Sequence, residues 1–151
     1  MPFLPPPPPA LVSGAQAPMP PQAKAAFDRA YEALRAGRFP EAIAAYEEAL
    51  ALAPDSWDIW LEYTSALRQA GQLQKAARAG WRTVELGPDK VDSWNNLSNV
   101  LQMANALPED AALLEEMARR FPGDPRVVKA FDNLAYTAWS LRDFALARKA
   151  L

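Results

Sequence analysis

The stretch WDIWLEYTSALRQAGQLQKAARAGWRTVELGPDK, residues 57–90, decides the fold. Apolar residues recur at helical spacing on both sides of Gly71, and Pro88 stops the second run. The stretch therefore reads as two short antiparallel helices with a turn at Gly71. Shifted by 34 residues either way, the same text returns in altered form. Gly71 aligns with Gly37, Leu73 with Phe39, Ala76 with Ala42, Leu86 with Leu52 and Pro88 with Pro54. Going forward, Trp60, Tyr63 and Leu67 align with Trp94, Leu97 and Leu101, and Pro88 with Pro122. A fixed period of this length predicts stacked supersecondary units, because one helix pair cannot bury its apolar face alone.

A fourth copy begins after Pro125, with Phe131, Leu134, Ala135, Phe144 and Ala147 in the equivalent places, at an offset of 37 from the third. The three extra residues fall near the Phe121–Pro125 turn, and the last copy stops at Leu151 within its second helix. Period and residues together resemble the tetratricopeptide repeat family, with its Trp, Leu, Gly, aromatic, Ala and Pro signature. The second copy matches best, through Trp60, Tyr63, Thr64, Leu67, Ala76 and Pro88. Copy one departs at Ala26 and Arg29, as an end repeat does, and copy two places Gly80 where a large aromatic is usual. Copy three has Asn105 for the turn Gly and Asp110 for the Ala, which predicts a second helix displaced by one residue. The resemblance implies an all-α, right-handed solenoid of about three and a half helix pairs, divided at 23–56, 57–90, 91–127 and 128–151.

Small residues at Ala30, Ala42 and Ala49 suit close helix approach within the first pair. Pro40 suits a first helical turn, and Asp55, Ser56, Pro88 and Asp89 are read as cap candidates. The remaining segment, 1–22, is of another kind. Residues 1–23 hold nine of the fifteen prolines and no charged side chain, with an unbroken run from Pro5 to Pro9. Such a run favours an extended polyproline conformation over a packed element. It reads as a disordered tail or linker, or as a docking ligand for a proline receptor or a neighbouring groove. It lacks the basic region of a signal peptide.

Composition narrows the function. The net charge of −2 marks no nucleic-acid or anionic-membrane surface. With no Cys and no His, the usual zinc sites, Cys nucleophiles and His-based triads are excluded. No run reaches the ~18 apolar residues of a membrane span. There is no Gly-rich phosphate loop, GxSxG, EF-hand loop or HExxH. The adjacent pairs Glu47-Glu48 and Glu115-Glu116 diverge by about 100° on a helix and read as solvated surface. Asn96-Leu97-Ser98 fits a glycosylation sequon inside a predicted helix, where it is not expected to be used. The chain is expected to be non-enzymatic, without cofactor or metal, and cytoplasmic in the absence of a targeting signal.

The resemblance further implies that the first helices line a concave groove, with the sixth place of each repeat facing it. Here that place holds Asp28, Glu62, Asn96 and Asn133. An amide both donates to and accepts from a peptide unit, and Asn96 and Asn133 are similar to the asparagine ladder of repeat domains in protein glycosyltransferases. Neighbouring groove places hold Phe27, Tyr31, Leu61, Ser65, Asn95, Asn99, Asp132 and Tyr136. Phe27 and Tyr31 serve equally as intra-repeat core. The family's chaperone-tail receptors use a Lys/Asn/Arg carboxylate clamp. Lys129 and Asn96 mimic two of its parts, but Leu61 and Ser65 occupy its Lys and Asn places, so that role is not expected. Trp60 and Trp94 read as core, whereas Trp81 beside Gly80 reads as an exposed convex-face contact.

The function expected is a protein–protein interaction module, an adaptor or scaffold holding a partner protein or extended peptide in the groove. The alternatives are an accessory subunit or assembly factor of a larger complex, and the repeat region of a larger enzyme such as a glycosyltransferase. Phe144, Leu146 and Leu151 without a following helix suggest self-association through an open C-terminal end.

Overall fold

The structure is a computed structural model that describes residues 18–151; the proline run at 5–9 lies outside the described residues. Eight helices occur among the described residues: α1 (Pro21–Arg35), α2 (Phe39–Leu52), α3 (Trp57–Gln69), α4 (Leu73–Leu86), α5 (Val91–Met103), α6 (Leu107–Arg120), α7 (Pro125–Ser140) and α8 (Phe144–Ala150). Consecutive helices pack as antiparallel pairs, and each pair stacks on the next through α2–α3, α4–α5 and α6–α7. The odd helices also touch one another in sequence, α1–α3, α3–α5 and α5–α7. Even helices make no comparable contact among the described residues. A stack closed along its odd helices and splayed along its even ones curves into a right-handed solenoid, with the odd helices on the concave side.

The repeat period is written in the helix bounds. α2, α4 and α6 begin at Phe39, Leu73 and Leu107, each 34 residues after the last. The displacement expected for the third copy is therefore corrected: α6 is in step, and Asp110 occupies the buried place of Ala42 and Ala76. The turn holds register because Asn105 adopts the left-handed conformation of Gly37 and Gly71, with φ of 55° against 74° and 77°. Asn is the non-glycine residue that tolerates this region best.

The capping expectations also need correction. Ser56 and Lys90 are the N-cap residues of α3 and α5, and neither helix receives a side-chain cap bond. Asp55 turns outward instead and accepts from Arg82 Nη2 at 2.7 Å. The aspartates that do cap are Asp124 and Asp143, whose carboxylates accept from the backbone N–H of Arg126 and Leu146.

Between the pairs, indoles set the register. Trp60 Nε1 donates to the carbonyl of Pro54 at 2.7 Å, and Trp94 Nε1 to that of Pro88 at 3.0 Å. The same donor thus meets the same repeat-ending proline in two successive copies. Trp57 Nε1 donates to Ser93 Oγ at 2.7 Å, and that hydroxyl donates to the Gly87 carbonyl at 2.9 Å. Gly87 is needed for this: a Cβ there would lie 2.6 Å from Trp57 Nε1 and 2.7 Å from Cδ1. In the next copy the two places hold Val91 and Phe121, the bulk having moved to the other member. Gly87→Ala is expected to displace the indole and cost about 1–3 kcal/mol, as overpacking does. Urea denaturation measures this, and an unchanged midpoint would disprove the packing requirement.

One apolar core runs through the stack, from Ala26 and Ala30 past Tyr46, Ile59, Leu67, Val84, Leu97, Leu101, Leu114 and Leu134 to Ala138 and Ala147. Trp81 belongs to this core, with 6% of its surface exposed, and is not a convex-face contact. The reason is local: Gly80 lets α4 approach α5 so closely that a Cβ there would stand 2.9 Å from Leu97 Cδ1. The neighbouring indole is drawn inside with the helix.

Candidate functional site

The concave surface is built from the outward stripes of α1, α3, α5 and α7. At its N-terminal end stand Phe27 and Tyr31. Phe27 is half-buried and packs edge-on against Tyr46 at 5.8 Å, while Tyr31 is 40% exposed, with the Arg35 guanidinium 5.9 Å from its ring. The two aromatics thus divide the roles the sequence left open: Phe27 packs and Tyr31 faces outward. Asp28 is exposed and binds Lys24 through both carboxylate oxygens at 2.9 Å. It borders a hollow of about 670 Å³ between α1 and α2, rather than the middle of the groove.

Glu62 sits half-buried on α3. Burial, and then the charge of Asp58 one turn earlier, pushes its carboxyl above the usual carboxylate range. Tyr46 is fully buried beneath, its hydroxyl without a hydrogen-bond partner. Burial, followed by the charges of Glu62 and Tyr31, raises the Tyr46 phenol, so it remains protonated. On the far side of α3, Tyr63 Oη and Lys75 Nζ both donate to Glu47 Oε1, at 2.8 and 2.7 Å. That triad holds α2, α3 and α4 together, and it corrects the reading of Glu47 as merely solvated.

Asn96 is 8% exposed. Its Nδ2 donates to the Leu61 carbonyl at 3.1 Å and reaches Ser65 Oγ at 3.4 Å. The amide therefore rivets α5 to α3, and two of the residues singled out, Ser65 and Asn96, meet each other. Burial also removes the Asn96 sequon from reach. Asn133 is exposed on α7, its carbonyl accepting from Thr137 Oγ1 at 2.9 Å, and Tyr136 is 75% exposed.

Asn99 borders a groove of about 480 Å³ with Arg68, Gln102, Met103 and Thr137, drawn from α3, α5 and α7. Sequence reasoning passed over Arg68 and Gln102, although they recur at the repeat offset of 34 on the concave stripe. Gln102 is the floor of this groove. Its Nε2 donates to Asp110 Oδ2 at 2.7 Å and to the Ala130 carbonyl at 3.2 Å, linking α5, α6 and α7. Asp110 is fully buried, and its Oδ1 has no partner. Burial pushes this carboxyl up to about 6, against the lowering effect of hydrogen bonds from Ser98 and Gln102.

The comparisons with known proteins agree with this architecture. The family model of the tetratricopeptide repeat matches residues 27–88. The helix pairs continue that pattern in register through α6. A comparison with curated protein sequences finds no match. Among solved structures, the chain is similar to the Arabidopsis OM64 TPR domain, at 14% identity and a TM-score of 0.67, covering 76% of this chain and 95% of that one. It is also similar to the second TPR domain of human RPAP3 in complex with the HSP70 peptide SGPTIEEVD, at 16% identity and 0.67, covering 75% and 94%. MamA from Desulfovibrio magneticus gives 13% identity and 0.70, covering 85% and 71%. At these identities the likeness is one of fold. No helix among the described residues is long and apolar enough to cross a membrane.

Proposed function

We propose that this chain is a non-catalytic adaptor that holds an extended peptide segment of a partner protein across its concave face. The observation that carries the reading is the composition of that face. Tyr31, Ser65, Asn99, Asn133 and Tyr136 present exposed or half-buried hydroxyl, amide and aromatic groups along three successive odd-helix seams. Such groups hydrogen-bond a peptide backbone and pack against its side chains. A solved relative of the same fold binds a peptide, which supports the mode while leaving this partner's sequence open. Asp28 and Asn96 contribute less directly, since Lys24 and the α3 backbone already engage them.

The test is selection of peptides from a random displayed library on the full chain, followed by titration of the winner into a Tyr31/Glu62/Asn99/Asn133→Ala variant. With folding matched by circular dichroism, affinity is expected to fall at least about tenfold, or roughly 1.4 kcal/mol. A variant that binds as well as the parent would place the contact elsewhere.

A second reading, an accessory subunit, rests on α7 and α8. Trp139 and Phe144 stack edge-on at 5.0 Å while remaining 65% and 51% exposed, an apolar surface of the kind partners cover.

A further inference from the structure

Trp139 and Phe144 meet edge-on at 5.0 Å while 65% and 51% exposed. Tyr136, 75% exposed, stands three residues before Trp139 on the same face of α7. The three rings make an aromatic surface at the last helix pair. One segment of the chain matches it chemically. Residues 1–17 carry no charged side chain and contain the unbroken run Pro5–Pro9. A polyproline run presents pyrrolidine rings and unpaired carbonyls at little entropic cost, and aromatic-lined surfaces are what such runs dock against. The chain already pairs indoles with prolines internally: Trp60 and Trp94 donate to the carbonyls of Pro54 and Pro88. The Trp139 indole has no acceptor among the described residues.

We propose that this surface docks the Pro5–Pro9 run of a second copy of the chain, with pyrrolidine rings packed against Trp139, Phe144 and Tyr136. Reach selects the second copy. The odd helices run in one direction, so Pro18, before α1, and Trp139, near the end of α7, lie at opposite corners of the stack. Three helix spacings of about 8–10 Å and a helix length of about 21 Å place them roughly 35 Å apart. The chain from Pro9 to Pro18 spans at most about 30–32 Å when fully extended. The run of the same copy therefore falls short, or touches the surface only with its first prolines on a taut chain. A neighbouring copy has no such limit. The inference goes beyond the concave-face reading and does not rest on it.

The experiment compares the full chain with two full-length variants, Pro5/Pro6/Pro7/Pro8/Pro9→Ser and Trp139→Ala, matched for folding by circular dichroism. In sedimentation equilibrium the mass of the parent is expected to rise with concentration, while each variant alone stays monomeric. Mixing the two variants is expected to restore association, since one supplies the run and the other the surface. A synthetic peptide of residues 1–17 is then titrated into the isotope-labelled proline variant. The Trp139 indole N–H resonance is expected to move, and the same peptide with serine at positions 5–9 should leave it in place. Adding Trp139→Ala to that variant should weaken binding of the peptide, followed by calorimetry, at least about fivefold, as loss of an aromatic anchor does. A parent that stays monomeric at every concentration would overturn the second copy as occupant. If the peptide still moved Trp139 in that case, the run would belong on its own chain. Association that survives both substitutions, or a Trp139 signal indifferent to the peptide, would overturn the surface itself. None of these failures touches the concave-face reading, which is tested with other peptides.

Discussion

Trp94→Ala is expected to destabilise the chain by about 3–5 kcal/mol, the range for emptying a large aromatic site. The side chain is 2% exposed and packs edge-on against Phe121 at 6.4 Å. The Arg120 guanidinium lies 5.1 Å from its ring centroid, and its N–H holds the Pro88 carbonyl. Truncation removes apolar contact, a cation–π contact and an inter-repeat hydrogen bond together. Because stacked repeats gain stability from their neighbours, the loss is felt on both sides of the third pair. Trp139→Ala, at the exposed end of α7, is the matched control, with an expected loss below about 1 kcal/mol. Equal losses in urea denaturation would contradict the packing described for Trp94.

Asp110→Ala is expected to act in the opposite direction, raising stability by about 1–2 kcal/mol at pH 7.5. The native carboxyl ionises near 6 where an ordinary aspartate does so at 3.8, a difference equivalent to about 3 kcal/mol. Between those values the native state holds a proton that the unfolded chain has released. Stability from this group is therefore greatest at acid pH and falls as pH rises, reaching its full deficit above about 6. Alanine, already present at Ala42 and Ala76, abolishes the deficit and the orphan Oδ1, offset by a small cavity and by one lost partner of Gln102. At about 2–4 °C per kcal/mol for a chain of this size, the midpoint should rise by roughly 2–8 °C. The advantage should shrink by about 2 kcal/mol between pH 7.5 and pH 4.5. A benefit independent of pH would show that the carboxylate is not the cause.

Much of the fold was legible in the residues because repetition multiplies weak signals. Gly37, Gly71, the Trp60–Trp94 pair and the prolines at 54, 88 and 122 recur at one offset, so a single misleading residue is outvoted. The same redundancy explains two corrections. Asp110 suggested a shifted helix, but the period and the left-handed Asn105 kept α6 in register, and the buried acid is accommodated by Gln102 and Ser98 instead. Trp81 suggested exposure, yet the missing side chain at Gly80 let α4 close on α5 and enclosed the indole. Both outcomes depend on cross-repeat distances that no local pattern encodes.

The concave face was less legible. Which residues point inward follows from the period, but whether a side chain is free or already engaged does not. Asn96 looked like its counterpart Asn133 in sequence, yet one is buried against Leu61 and the other exposed.

The most direct test of the central claim is a backbone resonance footprint of the full chain saturated with its selected peptide. The account predicts that the perturbed amides and attached side chains lie along α1, α3, α5 and α7, strongest around Ser65, Asn99 and Tyr136. Perturbations gathered on α2, α4 and α6 would contradict it, placing the partner on the opposite face of the solenoid.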